Sequence, residues 1–103
     1  MMDGFDIEAI DEVIHGRIRL GVMAYLVGAG EADFSEIRAR LQTTDGNLSV
    51  HLRKLEDAGY IEIAKSFVGR KPLTRIRLTE GGRGAYSGWL ETISRLVDQG
   101  PGR

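Results

Sequence analysis

The 103 residues include 42% hydrophobic and 28% charged side chains and no cysteine, the composition of one ordered globular domain, residues 1–103, with a modest core. Disulfides and thiolate metal sites are excluded, no run approaches the roughly 20 apolar residues of a membrane span, and the start MMDGFDIE is too acidic for a signal peptide, so a cytoplasmic location without a membrane partner is expected. The net charge of −1 combines unlike parts: residues 1–36 carry two arginines against eight acids, residues 37–83 carry ten Lys or Arg against five acids, and residues 84–103 balance. A polyanion would therefore meet the middle of the chain.

In chain order, DIEAIDEVIH (6–15) sets Ile7, Ile10, Val13 and Ile14 on one side of an expected helix, with Glu8, Asp11 and Glu12 as a solvated face. Gly16 breaks that pattern. RIRLGVMAYLV (17–27) reads as a second helix, apolar nearly all round and so buried on several sides, and ended by Gly28 and Gly30. DFSEIRARL (33–41) opens with an N-cap aspartate and has Glu36 three residues on, a capping box, with Phe34, Ile37 and Leu41 as its apolar face. Gln42 and Thr43 then make a tight connection.

The next stretch, TDGNLSVHLRKLEDAG (44–59), organises the rest. Thr44 is placed as N-cap, Asp45 sits where the helix's positive end favours a carboxylate, and Gly59 suits the left-handed residue that ends a helix. Leu48, Leu52 and Leu55 recur at helical spacing and bury one face. About half a turn round lie Gly46, Val50 and Arg53, with Asn47 and Lys54 beside them. Small, amide and cationic groups opposite a leucine stripe suit a helix pressed into a DNA major groove, and the preceding short helix makes the pair a helix-turn-helix.

YIEIAK (60–65) and LTRIRL (73–78) alternate as strands, and SFVGRKP between them gives a hairpin with a seven-residue basic tip. Thr79 caps a last helix over 80–98, whose continuous stripe comprises Tyr86, Trp89, Leu90, Ile93, Leu96 and Val97. EGGRG at 80–84 lacks the ending and context of a phosphate loop and reads as small residues at a packed helix start.

This order is that of a winged helix-turn-helix, an α+β fold, mostly helical, with a two-stranded β-hairpin wing. The run 45–83 resembles the winged-helix transcriptional regulators related to the MarR and ArsR groups, above all a small archaeal and bacterial subfamily of chains of this length. The resemblance lies in Asp45-Gly46-Asn47-Leu48-Ser49 with His51-Leu52, Leu55-Glu56 with Gly59-Tyr60-Ile61, Gly69-Arg70-Lys71-Pro72, and Leu78-Thr79 with Gly82-Arg83. It implies a recognition helix over 44–58, a wing over 60–78, and pairing through terminal helices. Double-stranded DNA would be met by Thr44, Gly46, Asn47, Ser49, Val50, Arg53 and Lys54 on the helix and by Lys65, Arg70 and Lys71 on the wing tip. Asn47 has the donor and acceptor for a base edge, Arg53 or Lys54 reaches guanine or phosphate, and Val50 meets a thymine methyl.

With Met23, Leu26, Leu48, Leu52, Leu55, Ile61 and Ile76 already serving one core, Ile7, Ile10 and Ile14 and the stripe on the last helix are left over, which points to a two-fold homodimer on 6–15 and 85–97. The two histidines stand 36 residues apart without a cysteine, so no metal or cofactor is expected. No nucleophile–base or paired-carboxylate arrangement marks an enzyme. The expected activity is a dimeric transcriptional regulator, a repressor by promoter occlusion. The alternatives are a winged-helix protein-interaction module and gating by a small-molecule effector in the dimer crevice near Trp89.

Overall fold

The computed structural model describes residues 5–101. After a 3₁₀ turn at Ile7–Ala9 come α1 (Arg17–Ala29), β1 (Glu31–Asp33), α2 (Phe34–Leu41), α3 (Asp45–Asp57), β2 (Ile61–Val68), β3 (Lys71–Leu78) and α4 (Glu80–Gln99). The strands form one antiparallel sheet in the order β1-β3-β2.

The core lies where α1, α2 and α3 meet the inner face of this sheet. Met23 and Leu26 of α1, Ile37 of α2, the leucines 48, 52 and 55 of α3, and Ile61 and Ile76 of the sheet are all buried in it. The caps read from the sequence form. The Thr44 hydroxyl accepts from the Asn47 amide at 3.2 Å, Asp33 and Glu36 close a capping box, and Gly59 ends α3 at φ +82°. The Thr79 hydroxyl likewise accepts from Gly82 N–H, opening α4.

Three expectations are corrected. The sheet has a third strand, β1, which pairs Ala32 with Ile76, Asp33 with Arg75 and Glu31 with Arg77. The Arg75 guanidinium donates to both carboxylates, at 2.5 and 2.7 Å. The wing is the expected hairpin of two strands, and the unforeseen β1 anchors it to the body through β3.

Residues 6–15 form no continuous helix. The Asp6 carboxylate accepts from Glu8 N–H and that of Asp11 from Val13 and Ile14 N–H, so side chains take the amides that a helix would use. Ile14 is fully enclosed in the core, which removes it from any surface offered to a second copy, whereas Ile7 remains exposed.

The hairpin tip is short. β2 runs to Val68 and β3 starts at Lys71, leaving Gly69 and Arg70 as a two-residue turn. Gly69 takes φ +65°, the backbone state such a turn requires of its first residue.

Candidate nucleic-acid interface

The leucine stripe fixes which side of α3 faces out. With Leu48, Leu52 and Leu55 buried, Gly46, Asn47, Ser49, Val50, Arg53 and Lys54 are all exposed. Val50 keeps 56% of its surface, a large apolar area for a helix already packed on its other side.

Ion pairing then sorts the cations of the basic middle. Arg38 pairs with Asp45 at 2.6 Å, Arg75 with Glu31 and Asp33, and Arg77 with Glu62. Arg40 lies over the Tyr25 ring, and Arg83 reaches the Val27 carbonyl. Arg53, Lys54, Lys65, Arg70 and Lys71 enter none of the ion pairs among the described residues. All five lie on α3 or the wing.

Between α3 and the wing runs an open groove of about 600 Å³, with Asp45, Ser49 and Arg53 on one wall and Ile63, Lys65 and Thr74 on the other. Lys65 is thus displaced from the expected tip. It pairs in register with Thr74 and stands on the groove wall, while Arg70 and Lys71 occupy the tip. The sequence groups the three together; the structure puts one beside α3 and two beyond it.

Asn47 is less free than its exposure implies, because its side-chain amide donates to the Thr43 hydroxyl at 2.8 Å. A base edge would compete with Thr43 for that donor. Thr43, absent from the expected site, therefore sets the resting orientation of Asn47.

Behind α3, Tyr60 and Arg19 help to hold the segment 11–15 in place, and neither carries a sequence signal. The Tyr60 hydroxyl donates to Asp11 at 2.5 Å, and this bond, with partial burial, pushes the phenol up to about 12. Arg19 reaches the Val13 and Glu12 carbonyls and donates to His51 Nδ1 at 2.9 Å. A ring nitrogen that accepts from a guanidinium carries no proton. Burial, then Arg19 and Lys54, lower the His51 pKa from its ordinary 6.5.

Because the folded value lies below the unfolded one, the unfolded chain takes up the proton first. The His51 contribution is complete above about pH 6.5 and is lost as pH falls through the folded value. Thermal melts between pH 7.5 and 5 are expected to show stability falling with acid. His51→Gln, which keeps an acceptor for Arg19 and removes the titration, should shrink that fall; an unchanged pH slope would refute the assignment.

On α4, Trp89 and Tyr86 are partly buried against the chain's own core, so they belong only in part to the leftover stripe. The indole donates to His15 Nδ1 at 3.2 Å and its ring stacks 6.0 Å from that of Tyr86. Leu90 and Val97 remain 46% and 56% exposed. Among the described residues no helix is long and apolar enough to cross a membrane.

Comparison with known proteins agrees with this fold. A family model described as a winged helix DNA-binding domain matches residues 18–97. An uncharacterised protein of Methanocaldococcus jannaschii is 33% identical over 85 residues, which cover 82% of this chain and 92% of that protein. Among solved structures, a transcriptional regulator homologue from Pyrococcus horikoshii superposes with a TM-score of 0.80 at 31% identity, covering 85% of this chain and 87% of the other. NadR, solved in complex with 4-hydroxyphenylacetate, shares the fold with a TM-score of 0.68 at 19% identity, covering 88% of this chain and 64% of its own. With α3 presented by a leucine stripe and flanked by a basic wing, the chain belongs to the winged helix DNA-binding domain family.

Proposed function

We propose that this protein is a sequence-specific, double-stranded DNA-binding transcriptional regulator that acts as a homodimer and represses by occluding a promoter. The observation that carries the reading is the set of five cations on α3 and the wing that enter no ion pair among the described residues, in a chain whose other basic-middle arginines are engaged by its own groups. In this reading α3 enters a major groove. Phosphate contacts from Arg70 and Lys71 supply affinity, and Asn47, Val50 and Arg53 supply discrimination. In the alternative of ligand-gated regulation, a small-molecule effector would sit in the dimer crevice near Trp89, whose indole donates to His15 and stacks on Tyr86.

Selection from random duplexes across a salt series tests the proposal. Enrichment of a near-palindrome, with affinity falling steeply as salt rises, is the expected result; weak, sequence-blind binding at every salt would overturn it. The two groups of residues should separate. Arg70→Ala with Lys71→Ala is expected to weaken binding to all sequences and reduce the salt slope by about 2 for each protomer engaged. Asn47→Ala should instead cost about 1–3 kcal/mol of discrimination at one base position with the slope nearly unchanged. Identical effects from both would refute this division.

A further inference from the structure

The inner face of the wing carries a pair of rings, Phe67 and Pro72, that stay exposed among the described residues. Alternation and register put Ile61, Ile63, Lys65 and Phe67 on one face of β2, opposite Leu78, Ile76, Thr74 and Pro72 of β3. The first two pairs belong to the core or pack against it. The third, Lys65 with Thr74, forms the groove wall opposite Ser49 and Arg53 of α3. The fourth, Phe67 with Pro72, continues that face past the groove, about 7 Å beyond Lys65 at strand spacing. There Phe67 keeps 69% of its surface.

We propose that Phe67 and Pro72 form an apolar blade that enters the minor groove next to the major groove occupied by α3, packing against its sugar walls. This rests on the DNA-binding reading above. Charge complementarity selects the occupant: Lys65 lies two residues before the phenylalanine, Arg70 sits in the turn beyond it and Lys71 opens β3, and none of the three enters an ion pair among the described residues. Cations on both sides of an apolar ring suit a cleft whose rims are phosphates and whose walls are deoxyribose. A minor groove is about 6 Å wide, narrow enough to grip a ring edge-on, and Phe and Pro are among the side chains used as wedges there. The blade makes the wing sensitive to groove width and to the exocyclic amino group of guanine on the groove floor, at positions α3 does not reach.

Titration of the full chain against its selected duplex provides the test, with Phe67→Ala, Phe67→Leu and Val68→Ala compared across a salt series. Val68 is a control of similar exposure on the opposite face of the same strand. Phe67→Ala is expected to lose about tenfold in affinity at every salt with the slope unchanged, Phe67→Leu to recover most of it, and Val68→Ala to match wild type. Replacing G·C by I·C pairs in the flank removes the minor-groove amino group and leaves the major-groove edge intact. That change should strengthen wild-type binding and leave Phe67→Ala indifferent. Steep, salt-dependent binding by wild type with Phe67→Ala equal to it would overturn the blade alone, and the exposed tip would then read as a protein-docking surface. A flattened salt slope in Phe67→Ala would also overturn it, by showing that the ring only positions the neighbouring cations. Wild type that fails to bind duplex DNA at all would overturn the DNA reading and the blade with it.

Discussion

Gly82→Ala is expected to lower the thermal midpoint by roughly 10–20 °C, the largest stability loss among the glycine substitutions in α4. A Cβ at Gly82 would stand 2.1 Å from the Tyr60 carbonyl oxygen and 2.9 Å from Leu78 Cδ1. The carbonyl cannot yield cheaply, because it already accepts from Thr79 N–H at 3.1 Å, while the Thr79 hydroxyl donates to Gly59 O at 2.6 Å. The start of α4 is thus fastened directly to the start of β2, and the methyl group must push the two apart. Overpacking of this kind costs about 1–3 kcal/mol and more where backbone is struck, and each kcal/mol moves the midpoint of a domain this size by about 4–8 °C. Alanine at Gly84 or Gly88 meets nothing within 4 Å and should raise the midpoint, since glycine inside a helix costs about 1 kcal/mol relative to alanine. Gly21→Ala strikes only the end of the Leu41 side chain and should lie near neutral. Differential scanning calorimetry of the four variants checks the order; a Gly82→Ala protein that melts with wild type would show that the two elements are not fastened there.

What could be read from the sequence follows from where the determining forces lie. α3 was legible because its signals are local. A hydroxyl at its start, leucines at helical spacing and a glycine at its end each act within a few residues, and all three appear as expected. β1 was not, because three residues carry no periodicity; it pairs with β3 more than forty residues away, where Arg75 meets Glu31 and Asp33. Residues 6–15 misled for the opposite reason. Their isoleucines do fall at helical spacing, but the carboxylates of Asp6 and Asp11 compete locally for backbone amides, and Tyr60 and Arg19 hold the result from a distance.

The candidate interface divides in the same way. The outward residues of α3 follow from the stripe that is buried. Which cations stay unpaired depends instead on folding: Arg75 and Arg77 look as available in the sequence as Arg53, yet each faces a carboxylate brought to it by the sheet. Phe67 carried a sequence signal, an aromatic residue inside a basic hairpin, whose meaning depended on the register that aligns it with Lys65 rather than with the opposite face.

Leu90→Asp is expected to change DNA affinity more than any substitution on the surface proposed to face DNA. Leu90 and Val97 are seven residues apart, on one side of α4, and stay 46% and 56% exposed when the core is complete. A carboxylate at position 90 therefore leaves the monomer core intact and burdens only a surface that a second copy would cover. In the proposed homodimer it buries an unpaired charge at the interface, a penalty of several kcal/mol that an assembly of this size cannot absorb. Sedimentation at micromolar concentration should change from dimer to monomer, and the midpoint should lose its dependence on protein concentration. Two recognition helices placed about 34 Å apart bind a palindrome as a linked pair, so losing the link should cost about 10²–10⁴ in affinity for the full site. The salt slope should fall to about half, since half of the phosphate contacts are gone. Affinity for a single half-site should stay the same, which separates a broken dimer from a damaged DNA surface. A Leu90→Asp protein that remains dimeric and binds the full site as wild type would exclude the exposed stripe of α4 as the interface, and a wild-type chain that sediments only as a monomer would exclude the homodimer itself.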